Sequence, residues 1–208
     1  MLKKLKPIGV YRKCDWVTMT GTASAIIGIL LASNGKTTYA VFCLIFSAIC
    51  DAFDGVVARK FGSLKDYEVY GIELDSLNDA IAFGVLPMMI VQNLSTHNIY
   101  LFIISVFFCI AGVIRLAYFN MLSTLKKGDS KEFIGMPITC SAIIIPLVYF
   151  LTFIVAKEYR NVIFPVTLLI TGMLFITPIK LKKLSTREKV ALSLIGIITI
   201  IITIIKIW

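Results

Sequence analysis

Asp51-x2-Asp54-Gly55-x2-Ala58-Arg59, followed by Gly71-x3-Asp75-x3-Asp79, sets four carboxylates into sequence otherwise apolar enough for a bilayer. Carboxylates at a membrane edge are costly unless something charged pairs with them. On a helix, Asp51, Asp54 and Ala58 stand at i, i+3 and i+7 and share a face; Gly71, Asp75 and Asp79 do the same at i, i+4 and i+8. The pattern predicts two helices that turn their carboxyl groups toward one spot. Oxygen ligands suit hard divalent cations, which often keep phosphate as a further ligand. The expected chemistry is phosphoryl transfer at a membrane surface.

The sequence around this stretch is built for lipid. Mean hydropathy is +0.90 and 58% of residues are hydrophobic, above the roughly 45–50% apolar content of soluble proteins. Apolar runs of about 20 residues fall near 16–33, 38–58, 71–92, 98–120, 137–156, 161–179 and 189–207. They predict an all-α polytopic membrane protein, a bundle of about seven transmembrane helices. The first run follows basic residues but leads straight into another span, so it is not expected to be a cleaved signal. No linker, low-complexity run or internal repeat divides the chain. Residues 1–208 therefore read as one membrane-embedded catalytic domain with its catalytic motif at 51–79, preceded by a basic juxtamembrane segment, 1–13, expected to lie on the cytoplasmic leaflet.

Charge gives the orientation. With the N-terminus inside, the cytoplasmic loops hold Lys3, Lys4, Lys6, Arg12, Lys13, Arg59, Lys60, Lys65, Lys126, Lys127, Lys131, Lys180, Lys182, Lys183, Arg187 and Lys189, sixteen of the twenty-one basic residues. The opposite loops hold only Lys36, Lys157, Arg160 and Lys206, and Arg115 lies within a span. This asymmetry follows the positive-inside rule. It predicts a multi-pass protein of the cell membrane with its acidic motif open to the cytoplasm. The net charge of +9 belongs to short loops facing anionic lipid headgroups, and no nucleic-acid partner is expected. Cys14, Cys43, Cys50, Cys109 and Cys140 show no paired spacing and read as small packing residues. His97 reads as a loop residue, and Trp16, Tyr100, Tyr159 and Trp208 as interface anchors.

The eight fixed positions from Asp51 to Asp79 resemble the signature of the CDP-alcohol phosphotransferases, membrane enzymes that make phospholipids from CDP-linked lipids. The connection from Lys60 to Tyr70 is longer than the family's usual one, in a hairpin where added length costs little. Leu74-Asp75-Ser76-x2-Asp79 with Phe83-Gly84-x2-Pro87, Arg115-Leu116-Ala117-x-Phe119-Asn120 and Phe133-x-Gly135-x-Pro137 resemble the phosphatidylserine synthase subgroup, which includes archaetidylserine synthases. The resemblance implies Mg²⁺ or Mn²⁺, two ions, held by Asp51, Asp54, Asp75 and Asp79. It also implies Asp79 as general base, a CDP-lipid and L-serine as substrates, CMP as product and a homodimer. The subgroup's Pro-Asn-x2-Thr near the first helix survives only as Thr18, with Cys14 and Asp15 at its first places.

Each position has a physical reading too. Gly55 and Ala58 leave a shallow groove for a nucleotide, Gly71 stands one turn before Asp75, and Arg59 offers a donor fork to phosphate or anchors the inner interface. Thr18 is expected beside the CDP-lipid. Arg115, costly within a span, holds a serine carboxylate or pairs with the aspartates. Asn120 bonds the acceptor or caps its helix, while Ser76 and Asn78 support the acceptor or bond between helices. Asp15 and Asp129 read as caps or solvated groups, and Asp66, Glu68 and Glu73 as solvated charge. Other acceptors, glycerol 3-phosphate or inositol phosphate, would need further clustered cations. A UbiA-like prenyltransferase also pairs Asp motifs around Mg²⁺ but leaves Gly55, Ala58 and Arg59 unexplained. A cation transporter would carry its carboxylates near midplane.

Overall fold

A computed structural model describes residues 13–61, 68–96, 98–124, 132–155 and 159–182. Helix α1 (Lys13–Ser33) and helix α2 (Thr37–Phe61) form an antiparallel hairpin. The turn between them closes α1 with two backbone bonds, Lys36 N–H to the Leu31 carbonyl at 2.9 Å and Gly35 N–H to that of Ala32 at 3.0 Å. Gly35 takes the left-handed conformation this helix ending needs, φ 76°. Gly21, Ala25, Gly28 and Ala32 recur at i, i+4, i+7 and i+11 along α1, and small residues let helix backbones approach closely in membranes. A Cβ added at Gly28 would stand 2.8 Å from the Cβ of Cys43 on α2.

The third span is one helical column in three parts: α3 (Glu68–Asp79), a π-helical segment Ala80–Val85 and α4 (Leu86–Leu94). Helix α5 (Ile99–Thr124) returns to the end of the bundle where the acidic motif lies. Strand β1 (Glu132–Ile134) then leads into a 3-10 turn at Ile138–Cys140, followed by α6 (Ser141–Val155), α7 (Arg160–Ile176) and strand β2 (Lys180–Lys182). The strands pair antiparallel, Phe133 opposite Leu181. At three residues each, they are too short to leave a pattern in the sequence, and the bundle remains all-α as expected.

Six of the seven expected spans are these helical columns; the run at 189–207 lies outside the described residues, as do residues 1–12, His97 and Trp208. Four are long and apolar enough to cross a membrane: Asp15–Ser33, Thr37–Asp54, Val69–Leu94 and Ile99–Ser123. Helices α6 and α7 are shorter. The column sides expose Ile26, Leu30, Phe102, Ile110 and Ile170, while Leu44, Phe83, Leu86, Ile90, Phe108, Ile145 and Phe164 fill the interior. A helix that is apolar all round fits lipid outside and core inside. Asp15, expected as a cap or solvated group, is instead 3% exposed in the first turn of α1, where a negative charge meets the positive end of the helix dipole.

Candidate active site

Helices α2 and α3 bring Asp51, Asp54 and Asp75 together, with one carboxylate oxygen from each lying within 4.8 Å of the others. Oxygens bound to one divalent cation at about 2.0–2.6 Å stand roughly 3–5 Å apart, so the spacing fits such an ion. The donor set is oxygen only, as hard cations prefer. Like charges this close repel unless a cation is shared among them. All three side chains are half-buried.

Asp79, one turn beyond Asp75, is 8% exposed. Its carboxylate feels the charges of Asp51, Asp75, Asp54 and Arg115, and among the described residues its Oδ1 has no hydrogen-bond partner. A buried carboxylate oxygen without a donor is uncommon in folded chains and marks a place for a proton, a cation or a substrate hydroxyl. Gly71 sits half-buried one turn before Asp75. Helix α2 continues through Gly55, Ala58 and Arg59, but their side chains and the hairpin at 62–67 lie outside the described residues.

Helix α1 fixes both motif helices. Thr18 Oγ1 donates to Asp54 Oδ2 at 3.0 Å, and one turn later Thr22 Oγ1 donates to Asn78 Oδ1 at 2.8 Å. Thr18, expected beside the CDP-lipid, therefore orients a carboxylate of the acidic cluster. Asn78 is 2% exposed, and its amide nitrogen has no partner among the described residues. Thr22 was not singled out from the sequence; its i+4 spacing from Thr18 is the signal that finds it.

The remaining expected acceptor residues lie between α3 and α5. Ser76 Oγ donates to Asn120 Oδ1 at 2.9 Å, the helix-to-helix bond weighed for Ser76. Arg115 is 8% exposed, interacts electrostatically with Asp79, lies 5.1 Å over the Phe119 ring and donates from Nε to the Met136 carbonyl at 3.2 Å. This last contact gives Phe133-x-Gly135-x-Pro137 a physical role. Gly135 N–H bonds the Ile179 carbonyl at 2.9 Å and Met136 N–H that of Leu174 at 3.2 Å, docking the segment on the end of α7. Gly135 has φ 80°, and a Cβ there would stand 2.9 Å from the Phe175 carbonyl oxygen. Only glycine fits both conditions. Met136 is thereby presented to Arg115.

Comparison with known proteins agrees with the motif. The sequence model of the family described as CDP-alcohol phosphatidyltransferase matches residues 14–177. A Methanocaldococcus jannaschii protein named CDP-diacylglycerol–serine O-phosphatidyltransferase is 36% identical over 170 residues, covering 81% of this chain and 73% of that one. The archaetidylserine synthase of Methanothermobacter thermautotrophicus is 32% identical over 136 residues, 65% of this chain and 56% of its own length. A Helicobacter pylori CDP-diacylglycerol–serine O-phosphatidyltransferase is 37% identical over 132 residues, 61% and 54% of the two chains. The match thus spans just over half the length of the last two relatives.

Proposed function

The chain belongs to the CDP-alcohol phosphatidyltransferase family, and from that membership we propose that it transfers a phosphatidyl-type group from a CDP-lipid to the hydroxyl of L-serine, releasing CMP. The observation that carries the reading is the convergence of Asp51, Asp54 and Asp75 with buried Asp79 beside them. The names of the relatives support serine as acceptor. Family membership removes the prenyltransferase and transporter readings.

Asp51, Asp54 and Asp75, with Asp79 toward a second position, would hold two divalent ions, Mg²⁺ or Mn²⁺. When bound, such ions neutralise charge on the diphosphate and on the departing CMP. Asp79 accepts the proton of the serine hydroxyl. The serine oxygen forms its bond to the lipid-side phosphorus as the bond from that phosphorus to the CMP oxygen breaks; CMP leaves with the electron pair, and the proton passes from Asp79 to water. Thr18 keeps Asp54 turned into the site. Gly55, Ala58, Gly71 and Arg59 would bind the CDP-lipid, Arg59 through its phosphate. Arg115 receives the serine carboxylate, held in aim by Met136 and Phe119, and the Asn78 amide offers a donor to the acceptor. Ser76 and Asn120 brace α3 against α5. The chain works as one membrane domain and as a homodimer, with this site open to the cytoplasm.

Purified protein given CDP-diacylglycerol or CDP-archaeol with serine, glycerol 3-phosphate or inositol phosphate in turn tests the reading by CMP release. Serine should drive release in Mg²⁺ or Mn²⁺, and chelator should abolish it. Release with a phosphorylated alcohol in place of serine would overturn the acceptor.

A further inference from the structure

The π-helical segment begins immediately after Asp79, which forms its N-terminal boundary. Its wider winding is explicit in the bond from Leu86 N–H back to the Ile81 carbonyl, five residues earlier. One residue more than an α-helix would use turns everything beyond by about 100°. Asp75 and Asp79 can then face Asp51 and Asp54 while Leu86, Ile90 and Val91, all 0% exposed, face the core.

Such a turn must place the carbonyls it frees. In an α-helix the Phe83 carbonyl would accept from the N–H of residue 87, but Pro87 has none. The missing donor comes from another helix: Ser141 Oγ, at the start of α6 and 0% exposed, donates to the Phe83 carbonyl at 2.8 Å. Cys109 Sγ from α5 lies 3.7 Å from the next carbonyl, that of Gly84. Ser141 is itself set by the 3-10 turn after Pro137, where Cys140 N–H bonds the Pro137 carbonyl at 3.1 Å.

Resting on the reaction proposed above, we infer that Ser141 is a positioning residue: its bond to the Phe83 carbonyl holds the π-helical turn that aims Asp79 at the acidic cluster. The Phe83-Gly84-x2-Pro87 pattern then has a mechanical meaning. Pro87 removes the donor that would return the segment to α-winding, and Ser141 satisfies the carbonyl left behind.

The test uses the full-length protein as wild type, Ser141→Ala, Pro87→Ala with Ser141→Ala, and Ser141→Cys, measuring melting temperature, kcat and both KM values for CMP release. Ser141→Ala should melt a few degrees lower, with kcat down about tenfold or more and the CDP-lipid KM little changed. The double variant regains an N–H for the Phe83 carbonyl, so it should recover the melting temperature but not kcat. A merely structural hydrogen bond would give recovery of both, which overturns the inference; so would wild-type kcat in Ser141→Ala, or a double variant that recovers neither. If Ser141→Ala does not fold, Ser141→Cys, close in size but a weak donor, decides: reduced kcat supports positioning and full kcat overturns it. A wild-type chain releasing no CMP with serine overturns the reaction and this inference together, whereas losses or recoveries confined to the variants bear on Ser141 alone.

Discussion

Asp79 has a burial and a set of neighbours that separate it from the other three carboxylates. Asp51, Asp54 and Asp75 are half-buried and gathered, whereas Asp79 is closed from solvent and feels the charges of all three and of Arg115. Replacing it by Asn keeps shape and hydrogen-bonding capacity but removes the base. Asp79→Asn should therefore lower kcat by about 10²–10⁴-fold, while CDP-lipid still raises the melting temperature of the variant. Near-wild-type CMP release at saturating serine would show that the proton goes elsewhere. At this scale the sequence was informative for charge and poor for hydroxyls. Carboxylates inside apolar sequence are rare enough that four at helical spacing announce themselves. Thr22 and Ser141 look like any small polar residue in a membrane helix, and their roles depend on carbonyls and amides brought in from 56 and 58 residues away.

Among the elements, the helical columns were legible because lipid demands long apolar runs. The π-helical segment was not. Periodicity reveals winding only where one face is polar, and Ala80–Val85 is apolar on every side. The β1–β2 ribbon escaped because its pairing joins residues on either side of two intervening helices. Its effect on the site can be measured. Gly135→Ala puts a side chain into left-handed backbone against the Phe175 carbonyl, at a cost of about 1–3 kcal/mol. The Met136 carbonyl should then lose its hold on Arg115, so the serine KM should rise more than the CDP-lipid KM. Equal rises in both constants would detach this ribbon from the acceptor.

For the whole molecule, the proposed orientation rests on the loops, where sixteen basic residues favour one side. The structure adds which loop positions report it. Ser95 is 8% exposed, whereas its neighbour Thr96 is exposed. In a background without native cysteines, Thr96→Cys should react with an impermeant thiol reagent from outside the cell. Ser63→Cys, in the hairpin after α2, should react only when the inner face is opened. Labelling of both from one side would undo the inside placement of the acidic cluster.

The pair of threonines on α1 has a consequence for how the site tolerates change. Thr18 grips α2 through Asp54 and Thr22 grips α3 through Asn78, two points about 6 Å apart along one helix axis, fixed by its rise per residue. The offset between the two acidic helices is thus gauged by a rigid ruler rather than by the strand of chain that joins them. The length of the connection between them is then free to drift. Two Gly-Ser pairs inserted after Ser63 should leave kcat within about twofold, since a longer loop adds only a fraction of a kcal/mol, while Thr22→Val in that chain should lower it sharply. If the insertion alone stops turnover, the connection sets the register and α1 does not.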